Sequence, residues 1–221
     1  MEISNINDLS ELIKEKQKVY TFRKLELKDA KDIQLLMTKS LVSDNEGMKI
    51  LQVTEEDLNT EFNLKQYQWI IQENLSFGAF NGNQLVSACL TYDLSSNNDL
   101  YYEGPEPSEA MSEIQELVGF LLGEYSYTKS MEEKEIAYLS HLATKADHFK
   151  KHLALSCAYL SVEECRKLGF IQMICKASHI GTQKSISKIF KKFEKFKEIN
   201  ELKGQPVDIV SLIGTLSQQQ I

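Results

Sequence analysis

Between Ile136 and Phe170 the spacing of apolar positions changes once. Ile136 to Thr144 (IAYLSHLAT) is near-alternate, as in a buried strand; a polar turn follows (KADHFKKH), and from Leu153 apolar residues recur every third or fourth position. Leu153, Cys157, Leu160, Cys165 and Leu168 then fall on one helical stripe. A strand feeding such a helix points the helix's first backbone N–H groups outward. Those donors and the helix dipole favour a phosphate. The unit suits a phosphorylated cofactor.

The same pattern predicts elements on either side. Residues 1–18 form a charged N-terminal helical extension with Ile6, Leu9, Leu12 and Ile13 as its apolar edge, read as a packing or capping piece with partner docking as the alternative. Tyr20 to Leu27 reads as a strand, and Asp29 to Leu41 as a helix with Ile33, Leu36, Met37 and Leu41 on one face and Asp29 as N-cap. SLVSDNEGMKIL reads as a turn-rich, acidic, exposed connection. Leu58 to Glu73 is a helix carrying the single Trp69, and Ser108 to Glu124 is another, with Pro107 ahead of it. SFGAF and LVSACLTYDL, joined through Asn81-Gly82-Asn83, form a hairpin whose Asn-Gly supplies the positive φ values of a primed turn.

Further on, FIQMICKAS is a strand. KSISKIFKKFEKFKEI reads as a basic helix, with Ile186, Ile189, Phe190 and Phe193 on one side and Lys184, Lys188, Lys191, Lys192 and Lys195 on the other. FKEINELKG and VDIVSLIGTL are the last strands. No Pro-rich linker or repeat divides the chain, so 19–216 is expected to be one domain and 217–221 a loose tail.

Composition narrows the function classes. The 221 residues are 42% hydrophobic, enough for a proper core, and the formal charge of −7 argues against general nucleic-acid binding. Four cysteines, Cys89, Cys157, Cys165 and Cys175, sit inside apolar patterns without a Cys-x-x-Cys pair, as free thiols in a reducing, cytoplasmic compartment do. No signal peptide and no membrane span are expected. His148 and His152 have a metal-compatible spacing but lack a third ligand in any known pattern, so no metal is expected.

The strand, turn and helix resemble the central motif of the GNAT-fold, acetyl-coenzyme-A-dependent N-acetyltransferases, Val-x-Pro-x-Tyr-Arg-Gly-x-Gly-x-Gly/Ala. That pattern meets Thr144, Ala146, His148, Phe149, Lys150, His152 and Ala154. Phe149 stands in place of Arg, and His152 in place of Gly. The order of elements along the whole chain is also similar to the family's. The resemblance implies a mixed α/β fold, with a central, mostly antiparallel twisted sheet splayed at the cofactor site and flanked by helices.

It further implies acetyl-CoA as donor, held by Leu142, Ala143 and Thr144 on the strand and by Phe149, Lys150, Lys151, His152, Leu153 and Ala154 at the helix start. LVSDNEGM is similar to a segment of the arylalkylamine branch, Phe-x-x-x-Glu-Pro-Leu/Met, and this places Glu46 as the base, with Gly47 replacing the proline. Ser185 would serve the departing thiolate through water. The implied activity is acetyl transfer to a small-molecule primary amine, arylalkylamine-like, by direct attack in a ternary complex. The alternative is a silent GNAT-like domain acting as a structural or binding subunit of a larger assembly, which the replacements at Phe149 and His152 favour.

Overall fold

The computed structural model describes residues 6–99, 106–125, 132–178, 180–190 and 192–216. In chain order the elements are α1 (Ile6–Lys16), β1 (Thr21–Lys24), α2 (Ala30–Asp44), α3 (Glu46–Ile50), α4 (Glu55–Leu58), α5 (Glu61–Gln72), β2 (Phe77–Asn81), β3 (Gln84–Asp93) and α6 (Glu109–Leu122). Then come β4 (Ile136–Thr144), α7 (Leu153–Leu168), β5 (Gln172–Ala177), α8 (Ile180–Ile186), β6 (Phe193–Leu202) and β7 (Gln205–Thr215). The strands form one sheet in the order β1-β2-β3-β4-β5-β7-β6. Every neighbouring pair is antiparallel except β4 and β5. Two parallel neighbours need a crossover, and α7 is that crossover.

Burial divides the sheet into two faces. One is covered by α1, α7 and α8 with the segment after it: Leu9, Leu12, Leu153, Cys157, Ala158, Val162, Ile186 and Phe190 pack on Ala137, Leu139, Met173 and Cys175. The other is covered by α2 and α5, with Ile33, Met37, Tyr67 and Ile70 on Ile136, Tyr138, Ile174 and Ile213. The N-terminal helix thus contributes fully buried Leu9 to the central core.

Several expectations are corrected. The first strand is shorter than Tyr20 to Leu27, ending at Lys24 because a 3-10 turn takes Leu27–Asp29. Asp29 sits at the N-cap of α2 but its side chain does not cap. Its carboxylate instead accepts a two-pronged bond from Arg23, Nη1 to Oδ2 at 2.7 Å and Nη2 to Oδ1 at 2.8 Å, and the Glu26 N–H at 2.8 Å. Burial alone would raise the Asp29 pKa, but Arg23 and that N–H outweigh it and hold the carboxyl below its usual value. A pair that tight makes more than a cap would.

The stretch read as a turn-rich loop is helical. α2 runs to Asp44, and Asn45 both ends it and caps α3, its Oδ1 accepting the Met48 N–H at 3.1 Å. The hairpin forms as expected, yet its tight turn is Gly82-Asn83, flanked by the pair Asn81 and Gln84. Only Gly82, at φ 58°, needs the left-handed region there. The helical stripe of α7 is also partly different: Leu153, Cys157 and Cys165 are buried, whereas Leu168 is 44% exposed. Small residues, Ser156, Ala158 and Ser161, let α7 approach the sheet instead.

The long basic helix is not there. α8 ends at Ile186, and residues from Phe193 pair with β7 from Gly214 onward. β6 is an edge strand whose glutamates and lysines are mostly exposed, and that run of charge imitates a solvated helix face. Strand pairing decides between the two readings.

Candidate functional site between β4 and β5

The parallel ladder joins Ile136–Leu139 to Gln172–Cys175 and stops there. Beyond it β4 continues to Thr144 and β5 to Ala177 without pairing to each other. Backbone groups on those facing edges have no ladder partner, which opens a gap in the sheet. On its other edge β4 stays paired to β3, with a register shift that makes Ser140 an extra residue between Leu139 and His141. Such a bulge re-aims the side chains that follow. Leu142 packs toward the α7 face, while His141 and Ala143 turn toward α2 and α5.

The turn from β4 to α7 closes over the α7 side of this gap. Ala146–His148 make a 3-10 turn, and the buried His148 is held by Tyr20, Oη to Nδ1 at 3.1 Å. His148 and His152 therefore do not share a helix face. Lys151 is tied back to the turn, its Nζ donating to the Asp147 carbonyl at 3.0 Å. Lys150 and His152 have φ of 61° and 62°, the two positions at which the family pattern carries glycine. The chain keeps glycine-like geometry with bulky side chains.

The first helical bond of α7 is Ser156 N–H to His152 O at 3.0 Å, so the N–H groups of Leu153, Ala154 and Leu155 are the helix's free donors. Around them stand Lys150, exposed, and Lys16 and Lys188, near enough to His152 to help burial lower its pKa. Phe149 is 45% exposed and His152 is also exposed, so neither fills a buried notch. Free donors, two left-handed residues and several cations at one helix start are compatible with a diphosphate. A glycine at His152 would remove the left-handed penalty of about 1–2 kcal/mol and return roughly half of it through chain entropy. His152→Gly is thus expected to raise the melting temperature by about 2 °C, and a thermal denaturation curve checks it.

The other predicted residues fall as follows. Thr144 ends β4 and its Oγ1 lies 2.8 Å from Ser87 Oγ. It also lines a cleft of about 460 Å³ between α2, the start of β3 and Lys145, apart from α7. Glu46 is exposed at the first position of α3. That helix packs on the α2 side of the sheet, with Gly47 against Ile209, and Asn45 Nδ2 donates to Ser178 Oγ at 2.9 Å just past β5. Ser185, expected near a helix start, is in the last turn of α8 and half-buried. It stands with α8 on the α7 side, so the gap separates it from Glu46.

Sequence reasoning passed over two residues in the gap. His141 stands edge-on to Tyr67, ring centroids 5.5 Å apart, and its Nδ1 lies 2.9 Å from Ser140 Oγ. Lys176 on β5, half-buried, reaches over the Tyr138 ring at 5.2 Å. Burial lowers the lysine to about 7, and burial followed by the lysine's charge pushes His141 down to about 4. A lysine and a histidine inside otherwise apolar strands were the available signal. The four free cysteines are buried, with Cys89 pushed up to about 11 and Cys175 to about 12, so they remain thiols. Among the described residues no cluster of three metal-ligating side chains occurs, and no helix is long and apolar enough to cross a membrane.

No family model matches the chain, and no curated protein matches it. Solved structures do. Arylalkylamine N-acetyltransferase 2 from Aedes aegypti is 15% identical with a TM-score of 0.70, over 90% of this chain and 99% of that one. The C-terminal condensation domain of Ebony, solved with beta-alanyl-dopamine, is 11% identical with a TM-score of 0.68, over 89% and 98%. The Drosophila melanogaster polyamine N-acetyltransferase, which forms N-acetylagmatine, is 9% identical with a TM-score of 0.59, over 89% and 99%. The chain has the GNAT fold, a seven-stranded, mostly antiparallel sheet flanked by helices, and apart from the Ebony domain the solved structures it resembles are N-acetyltransferases, arylalkylamine N-acetyltransferases prominent among them.

Proposed function

We propose that this protein transfers an acetyl group from acetyl-CoA to a small primary amine of the arylalkylamine kind, by direct attack in a ternary complex. The observation that carries the reading is the β4–β5 gap with the free N–H donors of α7 beside it and Lys150, Lys16 and Lys188 around that helix start. The diphosphate of the donor would lie at Lys150 to Ala154, and the thioester beside Leu142 to Thr144, where unpaired strand N–H groups suit an oxyanion. Attack forms a C–N bond, collapse breaks the C–S bond, and the thiolate takes a proton by way of water near Ser185.

An alkylammonium has a pKa of about 10.4, so the acceptor must lose a proton before it attacks. Glu46 is the proposed base. Its support is position: α3 packs on the sheet face opposite α7, tied through Asn45 to the end of β5. Aromatic rings on that face, Trp69, Tyr92, Tyr138 and Tyr67, suit an aromatic acceptor.

Glu46→Gln is expected to lower kcat about 100-fold or more with little change in the apparent affinity for acetyl-CoA, and to shift the pH–rate profile upward. Steady-state rates with phenethylamine between pH 6 and pH 9 decide it. Unchanged turnover and pH profile would remove Glu46 from this role.

A further inference from the structure

Three polar groups on the α2 side of the β4–β5 gap have no part in the proposed transfer. Lys176 is one. By strand register Ser211 on β7 is its direct cross-strand partner, so the two side chains share a face of the sheet. Ser211 is fully buried and its Oγ has no hydrogen-bond partner. His141 faces the same space from β4, and its ring feels the lysine's charge. An orphaned hydroxyl beside a lysine in a sheet interior calls for an explanation, because buried polar groups are nearly always paired.

Among the described residues no carboxylate answers the lysine. Among the described residues the groups on its face are Tyr138 and His141 from β4, Tyr67 from α5 beyond His141, Ser211 from β7 and, across Ser211, Lys197 from β6, whereas Cys175 beside it points to the α7 face. Among the described residues none makes an ion pair with Lys176; Glu46, on α3, is exposed and lies beyond ion-pair distance. Burial without an anion costs the ammonium its proton part of the time at neutral pH. A lone ammonium acceptor would meet a like charge here. An anionic group would restore the lysine's proton and give Ser211 an acceptor.

We propose that Lys176 and Ser211 form a carboxylate subsite on the α2 side of the β4–β5 gap, so that the amine acetylated is an amino acid or a similar carboxylate-bearing amine rather than a simple arylalkylamine. This deepens the acetyl-transfer reading and rests on it for the identity of the reaction. The subsite itself is a binding claim and is tested without turnover. The carboxylate takes a charge-assisted bond from Lys176 Nζ and a bond from Ser211 Oγ.

The test measures binding of two product analogues to the full chain without CoA, N-acetylphenylalanine as the anion and N-acetylphenethylamine as its neutral counterpart, by calorimetry and thermal shift. The anion is expected to bind at least about 10-fold more tightly. Lys176→Met, which keeps a long apolar stem on Tyr138, should abolish that preference, Lys176→Arg should keep most of it, and Ser211→Ala should reduce it severalfold. The melting temperature of each variant reports folding. Equal affinities in the wild type, failure of the anion to bind, or a preference that survives Lys176→Met would overturn the proposal. An intact anion preference in a chain that fails to bind CoA would sink acetyl transfer and leave the subsite standing; CoA binding with no anion preference would do the reverse.

Discussion

Glutamate at both Lys150 and Lys188 is expected to weaken CoA binding about 100-fold while moving the melting temperature of the free chain by no more than about 2 °C. Both side chains are exposed, one in the turn before α7 and one after α8, and both stand near the free N–H groups of Leu153 to Leu155. A hydrogen bond to a charged group contributes about 1.5–3 kcal/mol, and exposure argues for the low end. Two contacts of about 1.5 kcal/mol make roughly two decades in affinity. Lys151 is left alone because its Nζ holds the Asp147 carbonyl, and its loss would disturb the turn as well as the charge. Calorimetric titration of the double variant gives the ratio. An unchanged dissociation constant would show that these cations do not face the donor's phosphates.

The second large effect is on stability. Gly214→Ala is expected to cost about 3 kcal/mol, at the upper end for overpacking, and to lower the melting temperature by about 6–12 °C. A Cβ at this position would lie 2.3 Å from Phe190 Cγ and 2.4 Å from Cδ1, so it meets the face of the ring and not a flexible tip. The ring cannot simply swing away, since Phe190 is buried in the core cluster that also holds Ile186 and Ile189. Moving it would disturb the packing of the segment after α8. Gly214→Ala combined with Phe190→Ala should lose much less than the sum of the two single changes, the signature of direct contact. Thermal denaturation of the four proteins completes the cycle, and a loss under about 1 kcal/mol in Gly214→Ala would mean that the ring relaxes freely.

The central unit was legible because local pattern and tertiary role coincide there. Ile136 to Thr144 is buried along most of its length, and Leu153, Cys157 and Cys165 face the sheet at helical spacing. In the C-terminal part the last two strands, FKEINELKG and VDIVSLIGTL, were legible, but the end of the basic helix before them was not, since the charged start of β6 cannot be distinguished from a helix face by periodicity alone. Asp29 looked like a cap from its place before a helix, and Arg23, six residues earlier, claimed its carboxylate only once β1 and α2 were folded together. Asn45 was hidden in a cluster of turn-forming residues whose purpose was to join two helices.

The candidate site divides in the same manner. Lys150, His152 and Ala154 were found through a pattern that describes backbone shape, and the positive φ at Lys150 and His152 preserves that shape with other side chains. Lys176, His141 and Ser211 belong to no short motif. They come together from three strands through the bulge at Ser140 and the register of β5 with β7, and neither can be read from spacing along the chain.

The proposed activity depends on whether the turn entering α7 receives the donor's diphosphate. Titration of the purified chain with CoA, followed by calorimetry and by thermal shift, tests that most directly. Micromolar binding with stabilisation that grows with ligand concentration is the result expected of a working cleft. The absence of heat and of any shift in melting temperature at millimolar CoA would contradict it, and would leave the GNAT fold serving a structural or binding role.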